Sequence, residues 1–334
     1  MAVRAADGKG REAVGSARYA QAFLIGLGMI ASVFLCAGAP APPSDDPEAT
    51  VVSELVVPAK FGGPAWWRIS KGGSTVWVLG LPSGLPRAEK WDKALLDIRL
   101  TGARRLIVPP AYSAGLGDIF GAFALRGRLK TKAPIEDALP PELRVRFVAA
   151  SGELRQPPQH YDTWKPAVAG LLMLGDFRRR ASINDFQPLA EVRTEAGRKG
   201  VRVTPAASYK AMPFLRTLAG DLTEAVNLAC LADSLQEIEA GSARVRAAAD
   251  AWSRGDVRGA LTAERGFERC LASFPEFSAQ VRQTMADETA VIAHDLQSPG
   301  VSVAVIPLRS LVARDGVLSQ LAARGYEVRT PASE

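Results

Sequence analysis

The sequence predicts an α/β protein: a mixed sheet core with βαβ units and a large helical insertion, behind an N-terminal signal or anchor segment. Three observations carry this. Short β-type runs stand near both ends of the chain, with Gly300–Ile306 the strongest of them. Helix-patterned sequence fills most of the stretch between them, about residues 111–297. An apolar run from Ala20 to Cys36 follows Arg11 and Arg18.

In chain order, Trp66–Ser70 and Ser74–Leu79 flank Lys71-Gly72-Gly73, the pattern of a β-hairpin. Trp66 and Trp67 alternate on the first strand, so one is expected in the core and the other against solvent or a neighbouring lobe. Glu89–Thr101 carries Trp91, Leu95 and Ile98 at helical spacing, and Arg104–Val108 is a strand stopped by Pro109-Pro110. Strand, helix and strand in that order predict a crossover with a parallel pair. Pro140-Pro141-Glu142 and Pro166 open helices, proline being tolerated in a first turn. Asp185–Gly197 is a helix feeding the strand Val201–Thr204, and Phe214–Gln297 is nearly all helix, with Gly255 turning between two of them and Trp252 anchoring that turn. A helix over Gly316–Arg324, capped by Gly325, leads to Tyr326–Arg329, which closes the sheet.

Residues 1–41 are expected to be a signal peptide or membrane anchor, 42–53 a linker, and 54–334 the folded domain. A cleaved signal has the charged, apolar and small-residue regions in order. An uncleaved anchor in contact with the membrane fits as well, because residues 20–36 approach the length that crosses a bilayer. A lipoprotein fits less well, since Leu35 precedes Cys36. All three place the folded part outside the cytoplasm, in the periplasm or exported. The formal charge of +6 is weak grounds for nucleic-acid binding: +2 lies in residues 1–40, and the rest is interleaved with acids. With Cys36 in the targeting segment, Cys230 and Cys270 form an even pair in helical stretches, expected as a disulfide, with two separate buried thiols as the alternative.

Pro64-Ala-Trp-Trp-Arg-Ile-Ser, Ser74-Thr-Val-Trp-Val-Leu-Gly, Leu139-Pro-Pro-Glu-Leu, Ala251-Trp-Ser-Arg-Gly-Asp and Gly316-Val-Leu with Leu321-Ala-Ala-Arg-Gly-Tyr-Glu-Val occur in an order and spacing that resembles the TraB/GumN family over about residues 63–330. That family is similar to metal-dependent peptidases and erythromycin-esterase-like hydrolases. The resemblance implies an active site with Gly-x-x-His after an early strand, a glutamate ending the next strand, and a second histidine in the turn after the late strand. Imidazoles and a carboxylate suit a divalent metal or a general base. This chain keeps Gly80, but Ser83 stands at the histidine position, Pro109 at the glutamate position and Arg309 at the second histidine. The acidic position opening the middle helix is shifted, leaving Asn184-Asp185-Phe186.

These departures predict a catalytically degenerate protein with no metal and no cofactor, acting by binding a small molecule or an envelope protein, or in an envelope-associated role that supports another component. Ser83 and Arg309 are the candidate ligand-binding residues; the guanidinium suits a carboxylate or phosphate, or else pairs with a nearby surface acid. Two enzyme readings stand beside this one. A metal-dependent hydrolase could draw relocated ligands from Asp118 or Asp185 with His160, although neither His160 nor His294 lies near a strand end. A serine hydrolase could use Ser83, although Leu81 stands where a Gly-x-Ser-x-Gly elbow has glycine.

Overall fold

The Gly72-Gly73 turn joins β1 (Trp66–Lys71) to β2 (Ser74–Leu81) as an antiparallel hairpin, with Arg68 opposite Trp77 and Ile69 opposite Val76. The computed structural model describes residues 45–333, apart from 83, 88, 114, 116, 117, 119, 120, 122, 123, 185, 186 and 221 and the side chains of 214, 215 and 218. The targeting segment 1–41, Ser83 and Asp185 therefore lie outside the described residues.

After β2, a short strand β3 (Leu85–Pro86) and the helix Ala94–Leu100 lead to β4 (Arg105–Val108) and β5 (Ala111–Ser113). Later come β6 (Ile183–Asn184), β7 (Arg202–Pro205), β8 (Ser208–Lys210), β9 (Gly300–Pro307) and β10 (Glu327–Arg329). Six of these form one mixed sheet in the order β10-β1-β2-β9-β4-β7, while β3 pairs with β6 and β5 with β8. The four strands β2, β9, β4 and β7 run parallel, and β1 and β10 are antiparallel to their neighbours.

The expected crossover therefore exists, but β2 and β4 are not neighbours: β9 lies between them, with Val78 opposite Ala304 and Ile107 opposite Ala304 on its other edge. The physical reason is burial. Ser302–Ile306 is buried on both faces, as a continuous apolar run in a central parallel strand must be.

Both tryptophans of β1 are buried in the main core, which corrects the expectation that one faces solvent or a neighbouring lobe. Trp66 is covered because the Arg99 guanidinium lies 4.5 Å from its ring and 4.0 Å from that of Trp77, a cation lid over two aromatic faces.

The helical region packs as a layer of its own. The helices Pro141–Glu153, Pro166–Arg180 and Glu224–Ser253 close around Phe147, Tyr161, Met173 and Leu235. Cys230 and Cys270 are bridged and fully buried, stapling Glu224–Ser253 to Gly266–Ala272 beside Phe274 and Phe277. At Gly255 the chain turns with φ +77°, and a Cβ there would lie 2.5 Å from the Ala59 Cβ and 2.8 Å from the Gly63 carbonyl oxygen. Glycine serves that turn twice, through its φ and its lack of side chain.

The body of the fold also takes in residues assigned above to the linker. From Asp45 the chain is held: Asp45 pairs with Arg282 at 2.8 Å, the Val52 amide donates to Val312 at 2.9 Å, and the Arg314 amide donates to Thr50 at 2.9 Å. Among the described residues no helix is long and apolar enough to cross a membrane.

Candidate functional site

The parallel strands β2, β9, β4 and β7 end on one side of the sheet, at Leu81, Pro307, Val108 and Pro205. In open α/β sheets ligands bind outside such carboxyl ends. Gly80, Pro109 and Arg309 all belong to this mouth, so the topology brings together three positions the sequence singled out.

At Gly80 the mouth is filled. The Trp252 indole donates to the Gly80 carbonyl oxygen at 2.7 Å, held there by the end of Glu224–Ser253 and an edge contact with Trp91 at 5.4 Å. A Cβ on Gly80 would lie 2.6 Å from the Leu308 Cδ1. The gap between Trp67, Gly80, Trp252, Val257 and Leu308 leaves about 0 Å³ for water. Trp252 thus does more than anchor the Gly255 turn: it seals the end of β2.

Pro109 is half-buried and follows Val108, whose carbonyl accepts from the Ala206 amide at 2.8 Å, tying the ends of β4 and β7 together. Arg309 stands in the first turn of the short helix Leu308–Val312 and donates to the Leu261 carbonyl at 2.7 Å and the Glu48 carbonyl at 3.5 Å. It is a half-buried cation rather than a surface arginine paired with an acid. Burial, and then the neighbouring Arg265, pull its pKa below the ordinary guanidinium value.

Arg265 holds the carboxylates. It meets Asp46 at 2.6 and 3.2 Å and Glu48 at 3.2 Å, and Ser310 donates its hydroxyl to the same Glu48 carboxylate. Burial pulls the Arg265 pKa down, but the hydrogen bond and charge of Asp46 and the charge of Glu48 outweigh it and hold it above the ordinary value.

Behind this pair lies Glu288, on the helix Pro275–Asp295. It is fully buried, and neither carboxyl oxygen has a hydrogen-bond partner among the described residues. Burial first, then the charges of Glu48 and Asp287, push its pKa up to about 8, so the group is neutral at pH 7. Nearby, the Tyr112 and Tyr209 rings stand 5.6 Å apart on β5 and β8. The Tyr209 hydroxyl donates to Asp287 at 2.6 Å, and burial followed by that bond raises its pKa to about 12.

The residues at the matched positions do not fit a divalent metal. Proline carries no donor side chain, and an arginine is a permanent cation that repels the ion. Of the relocated-ligand candidates, Asp185 lies outside the described residues, and His160 and Asp118 engage other partners. His160 is exposed, 4.8 Å from the Tyr161 ring and with Nε2 3.8 Å from an Asp176 oxygen. Asp118 instead accepts from the Gly115 amide at 2.6 Å. Among the described residues no three His, Cys, Asp or Glu side chains gather as a metal site.

Sequence reasoning missed Glu48, Arg265 and Glu288. Only Glu288 left a signal: with Val281, Met285 and Ile292 it falls on the apolar stripe of one helix, where a carboxylate is out of place.

Fold and mouth together define an α/β protein whose strand-end crevice is occupied by its own tryptophan, leucine and arginine side chains. A family model of the TraB/PrgY/gumN family matches residues 65–330, most of the chain, and the protein belongs to that family. Searches of curated proteins and of solved structures return no match.

Proposed function

We propose that this protein is an exported, catalytically degenerate member of the TraB/PrgY/gumN family that works by binding a small molecule or an envelope component at the mouth of its sheet. The observation that carries the loss of catalysis is the seal at Gly80: Trp252, Leu308 and Trp67 close the space where a reacting group would have to enter beside β2, which leaves the Arg309 side of the mouth for binding. The residues at Pro109 and Arg309 support it, because one offers no donor and the other offers a charge suited to anions. The buried Cys230–Cys270 bridge supports export, since structural disulfides persist in oxidising compartments. Residues 1–41 would direct that export, as a cleaved signal or as an anchor.

The test is hydrolysis of mixed peptide and ester substrates by the full chain, with Zn²⁺, Mn²⁺ or Co²⁺ added and again with a chelator. The reading expects no chelator-sensitive turnover, and turnover that chelation abolishes would overturn it. Export is checked by fusing the chain to alkaline phosphatase, which is active only outside the cytoplasm. An inactive but fully produced fusion would contradict export.

A further inference from the structure

The inference rests on the reading of the sheet mouth as a binding site and names what it binds. We infer that Arg265, Arg309 and Ser310 form a carboxylate-binding site at the end of β9, occupied in the resting protein by the chain's own acidic segment Asp46–Glu48.

Charge balance is the first argument. The mouth holds two half-buried or buried guanidinium groups, Arg265 and Arg309. The acids whose charges reach both are Asp46, Glu48 and Glu268. Burial, then repulsion from Glu237, raises the Glu268 pKa, so it is the weakest counter-ion of the three. The two strong counter-charges come from Asp46 and Glu48, which sit in a segment that belongs to no helix or strand. Without that segment the pair would be a desolvated double cation, and such a pair binds anions well because little water competes.

Shape is the second argument. Glu48 is gripped as a ligand is gripped: Arg265 reaches one carboxylate oxygen at 3.2 Å, the Ser310 hydroxyl donates to the other, and Arg309 donates to its backbone carbonyl at 3.5 Å. Among the described residues Arg309 hydrogen-bonds backbone carbonyls and no acid, so its donors are not committed to a carboxylate there. The charge of Glu48 reaches the buried carboxyl of Glu288, whose oxygens have no hydrogen-bond partner among the described residues. A gap of about 10 Å³, room for one water, lies between Pro82, Leu261, Arg265 and Arg309. The occupant being a carboxylate, the ligand class is a carboxylate-bearing molecule, either an organic acid or an acidic peptide.

The experiment uses the full chain, wild type and the double variant Asp46→Asn/Glu48→Gln. Each is titrated calorimetrically with citrate, with the tetrapeptide Asp-Asp-Pro-Glu and with inorganic phosphate. The double variant should bind citrate or the tetrapeptide at least ~10-fold tighter than wild type, since an internal competitor has lost its charge. Adding Arg309→Met should abolish that binding. Equal affinity in both proteins, or binding that survives Arg309→Met, would overturn the site. Phosphate binding tighter than either carboxylate would overturn the ligand class. Should the variant not fold, amide hydrogen exchange of wild-type residues 45–52 with saturating citrate decides the matter. Loss of protection supports the inference and unchanged protection sinks it. Neither readout measures turnover, so a chelator-sensitive hydrolase activity would defeat the proposed function without touching this result.

Discussion

Replacing Glu288 by glutamine should remove a large pH dependence of stability. Its carboxyl has a pKa of about 8 in the folded protein against the ordinary 4.5, for which burial is the main cause. A raised pKa makes the native state bind its proton more tightly than the unfolded chain does. The contribution to stability is therefore fully present below pH 4.5, declines as pH rises and is lost at about pH 8. At about 1.4 kcal/mol per unit, the whole window is worth roughly 5 kcal/mol, of which about 3 kcal/mol is lost by pH 7. Glutamine keeps the volume and has no proton to lose, so the variant follows the same curve without this slope. Urea unfolding of both proteins at pH 5 and pH 8 measures it, because the other titrating groups cancel in the difference. The variant should be within about 1 kcal/mol of wild type at pH 5 and more stable by roughly 4 kcal/mol at pH 8, or about 8 °C in Tm for a chain of this size. An unchanged difference between the two pH values would refute the reasoning.

Other substitutions test the packing. Gly255→Ala forces a Cβ against Ala59 and the Gly63 carbonyl at a left-handed residue and should cost about 3 kcal/mol in chemical denaturation. Cys230→Ser opens the bridge to Cys270 and should lower stability by about 2–4 kcal/mol, with reductant having the same effect on wild type but none on the variant. Asp295→Ala leaves Arg104 and Arg105 without the buried carboxylate they share at 3.1 and 2.5 Å, and a loss of about 3–5 kcal/mol in urea unfolding is expected.

Local signals made much of the fold legible in advance. Gly72-Gly73 between alternating apolar runs gave the hairpin, and Pro141 and Pro166 open helices where proline should. The apolar run Gly300–Ile306 is the central strand, and the even cysteine pair is bridged. Strand order was not legible, because nothing near β4 in sequence says that β9, almost 200 residues later, outcompetes β2 as its neighbour. The contacts of the segment 45–52 were illegible for the same reason. Asp46 and Glu48 look like solvated acids until Arg265, 219 and 217 residues away, is seen to hold them. At the mouth, Trp252 meets Gly80 across 172 residues. Side chains that close a site through such long-range contacts leave no periodicity, whereas the Glu288 carboxyl did, by interrupting a helical stripe.

Native mass spectrometry of the full chain, purified without chelator and then offered Zn²⁺, Mn²⁺ and Co²⁺ in turn, bears most directly on the mouth of the sheet. A chain whose strand ends present Pro109, Arg309 and the Trp252 seal should carry no stoichiometric divalent ion in any of these conditions. One equivalent of metal retained through buffer exchange would contradict the account.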